Sequence, residues 1–304
     1  SRTISKEAVS LSKVCRGGSM IYNALSIAGS DPSGGAGIQA DLKSFSAQGV
    51  YGMAVITALT AQNTTGVSQI HKPSPDFVAE QIRMVAADVR IDAIKIGMIA
   101  DAVIAKAVAE EVGALSDVQV ILDPVMIAKG GAPLLAEEAM SCLCEELVPL
   151  ADILTPNLPE AAALLNEKIA QNKDEMFQQA KELLTLGPRA IYLKGGHFDG
   201  PYSPDLFMSS TEMRWFEATR LQTKNTHGTG CSLSAAIAAN CAKGLTPEQA
   251  CAAAKAFITA AISEADSLTV GAGHGPIHHF HHLWTENSLQ QVNQDLNKET
   301  EHNE

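Results

Sequence analysis

Ala24-Leu25-Ser26-Ile27-Ala28-Gly29-Ser30-Asp31-Pro32-Ser33-Gly34-Gly35-Ala36-Gly37 reads as a short strand, then a loop of small residues, then the start of a helical pattern over 37–48 that carries Asp41. At first sight the loop looks like a dinucleotide-binding turn. The G-x-G-x-x-G spacing is missing, because Gly35-x-Gly37 is followed by Ala40, and no G-x-x-x-x-G-K-[ST] occurs anywhere in the chain. A nicotinamide dehydrogenase and a P-loop enzyme are therefore both set aside. What remains is a small-residue loop at the carboxyl end of a strand, where α/β sheets bind ligands. Such a loop lets a flat molecule approach the backbone closely.

Working outward, the same unit repeats. Strand patterns at 24–28, 54–59, 93–97, 118–122, 152–154 and 190–193 alternate with helical patterns at 37–48, 75–89, 101–111, 136–147, 159–165 and 175–186. Alternation at this spacing predicts an α/β fold with a mostly parallel sheet and helices on both faces. Segments 206–209 and 214–218 flank Ser210-Thr211-Glu212 and predict a hairpin late in the sheet. Two alanine-rich helices are expected at about 230–243 and 247–267. No internal repeat or linker interrupts this pattern, so 20–284 is expected to form a single domain. Residues 285–304, rich in Asn, Gln and Glu, are expected to be a disordered polar tail. Residues 1–19 read as a leader foreign to the fold, with Gly17-Gly18-Ser19 preceding a natural start at Met20.

The chain of 304 residues is 46% apolar, 18% charged and 5% aromatic, with a formal charge of -12. That balance argues against nucleic-acid and anionic-membrane partners, which need basic surfaces. Phosphate must then be held by local devices. No apolar run is long enough for a transmembrane helix, and the first nineteen residues do not read as a signal peptide. The six cysteines, Cys15, Cys142, Cys144, Cys231, Cys241 and Cys251, show no metal spacing and no disulfide framework. Reduced thiols in a cytoplasmic enzyme are the expectation. The late histidines His274, His278, His279, His281 and His282 lack carboxylate or cysteine partners at ligand spacing, so a metal site there is not expected.

Asn225-Thr226-His227-Gly228-Thr229-Gly230-Cys231-Ser232 runs directly into an apolar-periodic helix. Glycines just before a helix let the backbone turn and aim free N–H groups outward, and the helix N-terminus adds partial positive charge. This suits phosphoryl oxygens, although a plain glycine-containing helix start would look the same. Cys231 falls in the first turn, where a thiol pKa is expected to drop and the thiolate could accept a proton. Its bland alternative is a small space-filling residue. Thr155-Pro156-Asn157-Leu158-Pro159-Glu160 opens another helix straight after a strand. Asn157 and Glu160 could hold hydrated magnesium or simply cap the helix, and the capping reading is favoured on the residues alone. Lys194-Gly195-Gly196-His197 and Asp123-Pro124 also follow strands, placing a cation and a carboxylate at the same sheet edge.

Together these strings resemble the ribokinase-like superfamily, and within it the bacterial hydroxymethylpyrimidine/phosphomethylpyrimidine kinases of thiamine biosynthesis. The resemblance is carried by the 28–43 loop, Thr57-Ala58-Leu59-Thr60-Ala61-Gln62-Asn63, Ile94-Lys95-Ile96-Gly97-Met98, the Asn157/Glu160 turn, Lys194-Gly195-Gly196-His197, the 223–231 segment and the 278–281 histidines. It implies a three-layer α/β/α fold and two successive ATP-dependent phosphorylations in one site. By resemblance Gln62 would bind the aminopyrimidine edge, Met98 would pack on the ring, and Ala36, Gly37 and Asp41 would line or flank the pocket. Gly228, Thr229 and Gly230 would form the anion hole, with Cys231 in the base position. Asp123, Asn157, Glu160, Lys194 and Thr226 would organise Mg²⁺ and the ATP phosphates, the metal being held by Asp123 and Glu160 through water. The family also implies a homodimer.

Sugar kinases of this superfamily usually carry Asp where Cys231 stands. Cysteine there is shared by pyrimidine kinases and some pyridoxal kinases, so pyridoxal kinase is the nearest alternative. A non-catalytic pyrimidine-binding protein on the same fold would be expected to have lost its phosphate-binding residues, which are intact here.

Overall fold

The computed structural model describes residues 20–99, 101–126 and 137–284. The expectations for 1–19, for the 285–304 tail, for Cys15 and for Ala136 lie outside these residues. Along the chain run β1 (Asn23–Gly29), α1 (Gly37–Ala47), β2 (Tyr51–Asn63), β3 (Gly66–His71), α2 (Pro75–Asp88), β4 (Ala93–Ile96), α3 (Ala102–Gly113), β5 (Gln119–Leu122) and α4 (Glu137–Cys142). They are followed by β6 (Ile153–Leu154), α5 (Leu158–Leu165), α6 (Lys173–Leu184), β7 (Ala190–Lys194), β8 (Asp205–Ser209), β9 (Met213–Phe216), α7 (Thr229–Ala242) and α8 (Pro247–Ser263).

The strands form one nine-stranded sheet in the order β3-β2-β1-β4-β5-β6-β7-β8-β9. Its centre from β2 to β7 is parallel, and β3, β8 and β9 add antiparallel edges. Side chains alternate across the sheet. Leu25, Ile27, Ile94, Ile96, Val120 and Leu122 pack with α2, α3, α5 and α6, whereas Ala24, Ala93, Ile121, Ile153 and Tyr192 pack with α1, α7 and α8. Because both faces are covered, the central strands read as nearly continuous apolar runs rather than as alternating ones. Helix α7 is buried from Ser232 to Ala242, a stretch rich in alanine, and lies between α1 and α8 against β1, β4 and β5. A helix that is apolar all round belongs in such a central place.

The predicted α/β architecture is observed, with three differences. The strand expected at 54–59 extends to Asn63 and turns into β3, which the sequence reading left out. The turn is held by Asn63 Oδ1, which accepts from Thr65 N (2.9 Å), Thr65 Oγ1 (2.7 Å) and Gly66 N (3.1 Å). Nearly every β3 residue is exposed, so no buried alternation marks it. The helix expected at 136–147 is α-helical only to Cys142 and continues as a π-helical turn over Leu143–Leu147. The helix expected at 247–267 ends at Ser263, and Ala265–Ser267 form a 3₁₀ turn. No described helix is long and apolar enough to cross a membrane.

Candidate active site

The carboxyl ends of the parallel strands meet at a cavity of about 670 Å³. Gly29 ends β1, Met98 follows β4, Asp123 follows β5, Asn157 follows β6 and Lys194 ends β7, and all five line the cavity. This is the edge at which parallel α/β sheets bind ligands.

One wall is the small-residue loop, and Asp31 organises it. Its carboxylate accepts from Ser33 N (2.9 Å), Ser33 Oγ (2.6 Å) and Ala36 N (2.8 Å). It also bonds His227 Nε2 at 2.8 Å. Burial alone would raise its pKa, but His227 and Ser33 hold Asp31 below the ordinary aspartate value. Through His227 the loop is tied to the glycine segment before α7. There Gly228 adopts φ +75°, and a Cβ on it would fall 1.7 Å from the carbonyl oxygen of Gly35. Gly228 must be glycine both for its left-handed backbone and for this contact.

Thr229 opens α7, and Gly228, Thr229, Gly230 and Cys231 all line the cavity. The first-turn N–H groups of a helix lack intrahelical acceptors, so an anion can be received here. Lys194 stands over this turn, and a Cβ on Gly230 would come within 3.3 Å of its Nζ. Its ammonium is 2.9 Å from Asp123 Oδ1 and 3.9 Å from Glu160 Oε2. Burial disfavours the charged lysine, yet these two carboxylates outweigh it and raise its pKa. Asp123 also accepts from Thr155 Oγ1 (3.2 Å) and Ser234 Oγ (3.3 Å). Burial would raise Asp123 too, but Lys194 and Lys95 pull it below the usual range.

Asn157 and Glu160 do cap α5. Asn157 Oδ1 accepts from Glu160 N at 2.9 Å, and Glu160 Oε2 accepts from Asn157 N at 2.8 Å. Both residues nevertheless line the cavity, so the cap and the site share atoms. Burial pushes Glu160 up to about 7, against the pull of Lys194. The donors suit a hard cation, since carboxylate oxygens are what Mg²⁺ prefers. Asp123 and Glu160 are the carboxylates here that would hold such an ion, with Lys194 between them.

Gln62 and Met98 also line the cavity. The β2–β3 register shifts between Ala61 and Gln62, and such a bulge re-aims a side chain. Gln62 lines the cavity as a result. Met98 lies across Gly29, where a Cβ would meet its Cε at 2.2 Å. Ala36 and Gly37, from the small-residue loop, line it too.

Two expectations change. Asp41 does not line the cavity. It is fully buried on α1, bound to Lys95 Nζ and to Ser26 Oγ, and it is Lys95 that reaches the cavity floor. Cys231 is not activated: burial pushes its thiol up to about 11, helped by Asp41 and Asp123 and opposed by Lys95. Burial and the flanking carboxylates outweigh the pull of Lys95, which leaves the thiol protonated at pH 7.

Lys95, Asp31 and His227 lie inside the motif strings, but nothing in the local sequence marks their roles. The same holds for Ser232, whose Oγ is 2.8 Å from His279 Nε2. Burial, with Lys43 and His278, pushes His279 down to about 3, so the pair is a neutral hydrogen bond. Of the other late histidines, His281 packs on Phe257 and His278 on Trp284, and His274 Nδ1 lies 3.3 Å from the Lys224 carbonyl oxygen.

A second cavity of about 400 Å³ adjoins the first. The two share Asn157, Lys194, His197, Thr226, Thr229 and Gly230. Leu221, Leu233, Ile258 and Ile262 give the second an apolar wall.

The sequence model of the phosphomethylpyrimidine kinase family matches residues 31–278. The chain is 52% identical over 263 residues to the hydroxymethylpyrimidine/phosphomethylpyrimidine kinase of Escherichia coli strain K12, covering 86% of this chain and 98% of that one. Among solved structures it is similar to the phosphomethylpyrimidine kinase of Clostridium difficile 630, with TM-score 0.71, 41% identity and coverage of 79% and 99% of the two chains. It is also similar to the ADP complex of Bacillus subtilis pyridoxal kinase, with TM-score 0.79, 34% identity and coverage of 88% and 100%. With a match across nearly all of the described sheet and both cavities, the chain belongs to the phosphomethylpyrimidine kinase family.

Proposed function

We propose that this chain uses ATP to phosphorylate 4-amino-5-hydroxymethyl-2-methylpyrimidine, and then phosphorylates the monophosphate to the diphosphate, in thiamine diphosphate biosynthesis. One observation carries the reading. Gln62 and Met98, suited to a flat heteroaromatic ring, and the anion-binding first turn of α7 line one and the same cavity. The Gln62 amide can donate and accept at once, matching a ring nitrogen beside an exocyclic amine. Met98 offers a polarizable face to the ring. ATP would lie in the adjoining cavity, its base against the apolar wall and its phosphates toward Thr226, Asn157 and Lys194.

Phosphoryl transfer passes through a loose transition state, so positioning and charge stabilisation outweigh deprotonation of the acceptor. The Gly228, Thr229 and Gly230 backbone would bind the equatorial oxygens, and Lys194 would neutralise charge between the nucleotide and the acceptor. The neutral Cys231 thiol would pack beside the acceptor oxygen rather than act as a strong base. Mg²⁺, held through water by Asp123 and Glu160, would supply charge neutralisation on the ATP phosphates. The five described cysteines are free thiols, consistent with work in the cytoplasm, and the chain is expected to act as a homodimer built on one kinase domain, 20–284.

A pyridoxal kinase is the second reading, favoured by the similarity to the Bacillus subtilis enzyme. Incubation with ATP, Mg²⁺ and the pyrimidine, with products resolved by mass, should give monophosphate and then diphosphate. ADP release with no phosphorylated pyrimidine would overturn the proposal.

A further inference from the structure

Beneath the cavity floor lies a buried trio that the reaction as described leaves unused. Lys95 is fully buried in β4, at a position whose neighbours Ile94 and Ile96 face the opposite layer. Its ammonium is 3.0 Å from Asp41 Oδ1 and 2.9 Å from Asp41 Oδ2. Ser26 Oγ donates to Asp41 Oδ2 at 2.6 Å. Withdrawing such a pair from water is costly, and apolar residues of similar size would serve stability as well or better.

The pair is asymmetric with respect to the cavity. Lys95 lines it, beside Met98, Asp123 and Cys231, whereas Asp41 does not. The cationic member of the pair is therefore the one that borders the cavity. Gly97 leaves room for the ammonium, since a Cβ there would fall 2.5 Å from Lys95 Nζ. An ammonium has three donors, and among the described residues the hydrogen bonds of Lys95 go to Asp41 alone. Lys194, the other lysine lining this cavity, also lines the adjoining one and is held by Asp123 and Glu160. Lys95 belongs to the larger cavity only.

The acceptors of the proposed reactions differ in charge. The first is an uncharged hydroxymethyl group, and the second is an anionic phosphate monoester. A floor cation gains little from the former and a charge-assisted hydrogen bond from the latter. We propose that Lys95, positioned by Asp41 and Ser26, receives the phosphate of the monophosphate and so governs the second phosphorylation. This inference rests on the two-step reading above.

Lys95→Met alone strands a buried carboxylate, so the test uses the paired variant Lys95→Met/Asp41→Asn, which removes both charges and nearly keeps the shape. The kcat/KM values for the pyrimidine and for its monophosphate are measured separately, with Tm as the folding control. The second step should fall about ten- to hundredfold, mainly through KM, while the first changes less than about threefold. Monophosphate then accumulates. An equal loss in both steps, or an unchanged ratio between them, overturns the assignment of Lys95 alone. Wild-type protein that makes neither product overturns the two-step reading and this inference with it.

Discussion

Replacing Gly228 by alanine tests the anion cradle most sharply. A Cβ there would lie 1.7 Å from Gly35 O and 2.8 Å from Gly35 C. Neither atom belongs to a flexible side chain, so one of the two glycine loops must move. The backbone also stands at φ +75°, which costs an L-residue about 1–2 kcal/mol before any contact is counted. The chain would relax by swinging the segment before α7 away from the small-residue loop, and the first-turn N–H groups would go with it. Losing one well-placed donor to a developing oxyanion costs about 10²–10³ in kcat, and that is the expected fall. Pyrimidine affinity should change much less, because none of the atoms nearest a Cβ on Gly228 belongs to Gln62 or Met98. Gly244→Ala is the matched control. It has φ +86° with nothing within 4 Å of an added Cβ, so it should lose about 1 kcal/mol of stability and keep its rate. Steady-state phosphorylation and calorimetric titration of the pyrimidine read both variants. A Gly228→Ala enzyme as fast as wild type, or one slowed no more than Gly244→Ala, refutes the reasoning.

Other outcomes follow from the same geometry. Glu160 is raised by burial from its ordinary 4.5 to about 7, so the fold binds a proton there that the unfolded chain releases. Its stabilising contribution is complete below about pH 4.5 and is lost as pH rises through about 7. Glu160→Gln keeps the helix cap, and its melting curves should lose roughly 1–3 kcal/mol of that pH dependence; identical slopes for both proteins would count against a buried, titrating Glu160. With the thiol pushed up to about 11, Cys231→Ser should retain more activity than Asn157→Ala, and iodoacetamide should react slowly at pH 7. The opposite ranking, or fast alkylation, would restore an activated cysteine. Gln62→Ala should weaken pyrimidine binding by about 1–2 kcal/mol and leave ATP binding nearly unchanged, whereas equal loss of both would make Gln62 a structural residue.

The sheet was legible because its central strands are buried on both faces, which writes them as short apolar runs between amphipathic stretches. Strand β3 was not, since its exposed residues carry no such pattern and only the Asn63 turn hints at it. The positions of Asn157, Glu160, Lys194 and the 226–231 segment at one sheet edge followed from each lying just after a strand or just before a helix. What stayed hidden depends on tertiary neighbours. Asp41 looks like a pocket residue until β4 places Lys95 over it. Cys231 looks activated by its helix until burial and two carboxylates reverse the shift. His227 and Asp31 lie 196 positions apart in sequence, and nothing local announces their bond.

The most direct test compares kcat/KM for 4-amino-5-hydroxymethyl-2-methylpyrimidine and for pyridoxal, each with ATP and Mg²⁺ under the same conditions. The account predicts strong preference for the pyrimidine and a sequential mono- and diphosphate from it. Preference for pyridoxal, with pyridoxal phosphate as the main product, would contradict the substrate assignment while leaving the phosphate cradle in place.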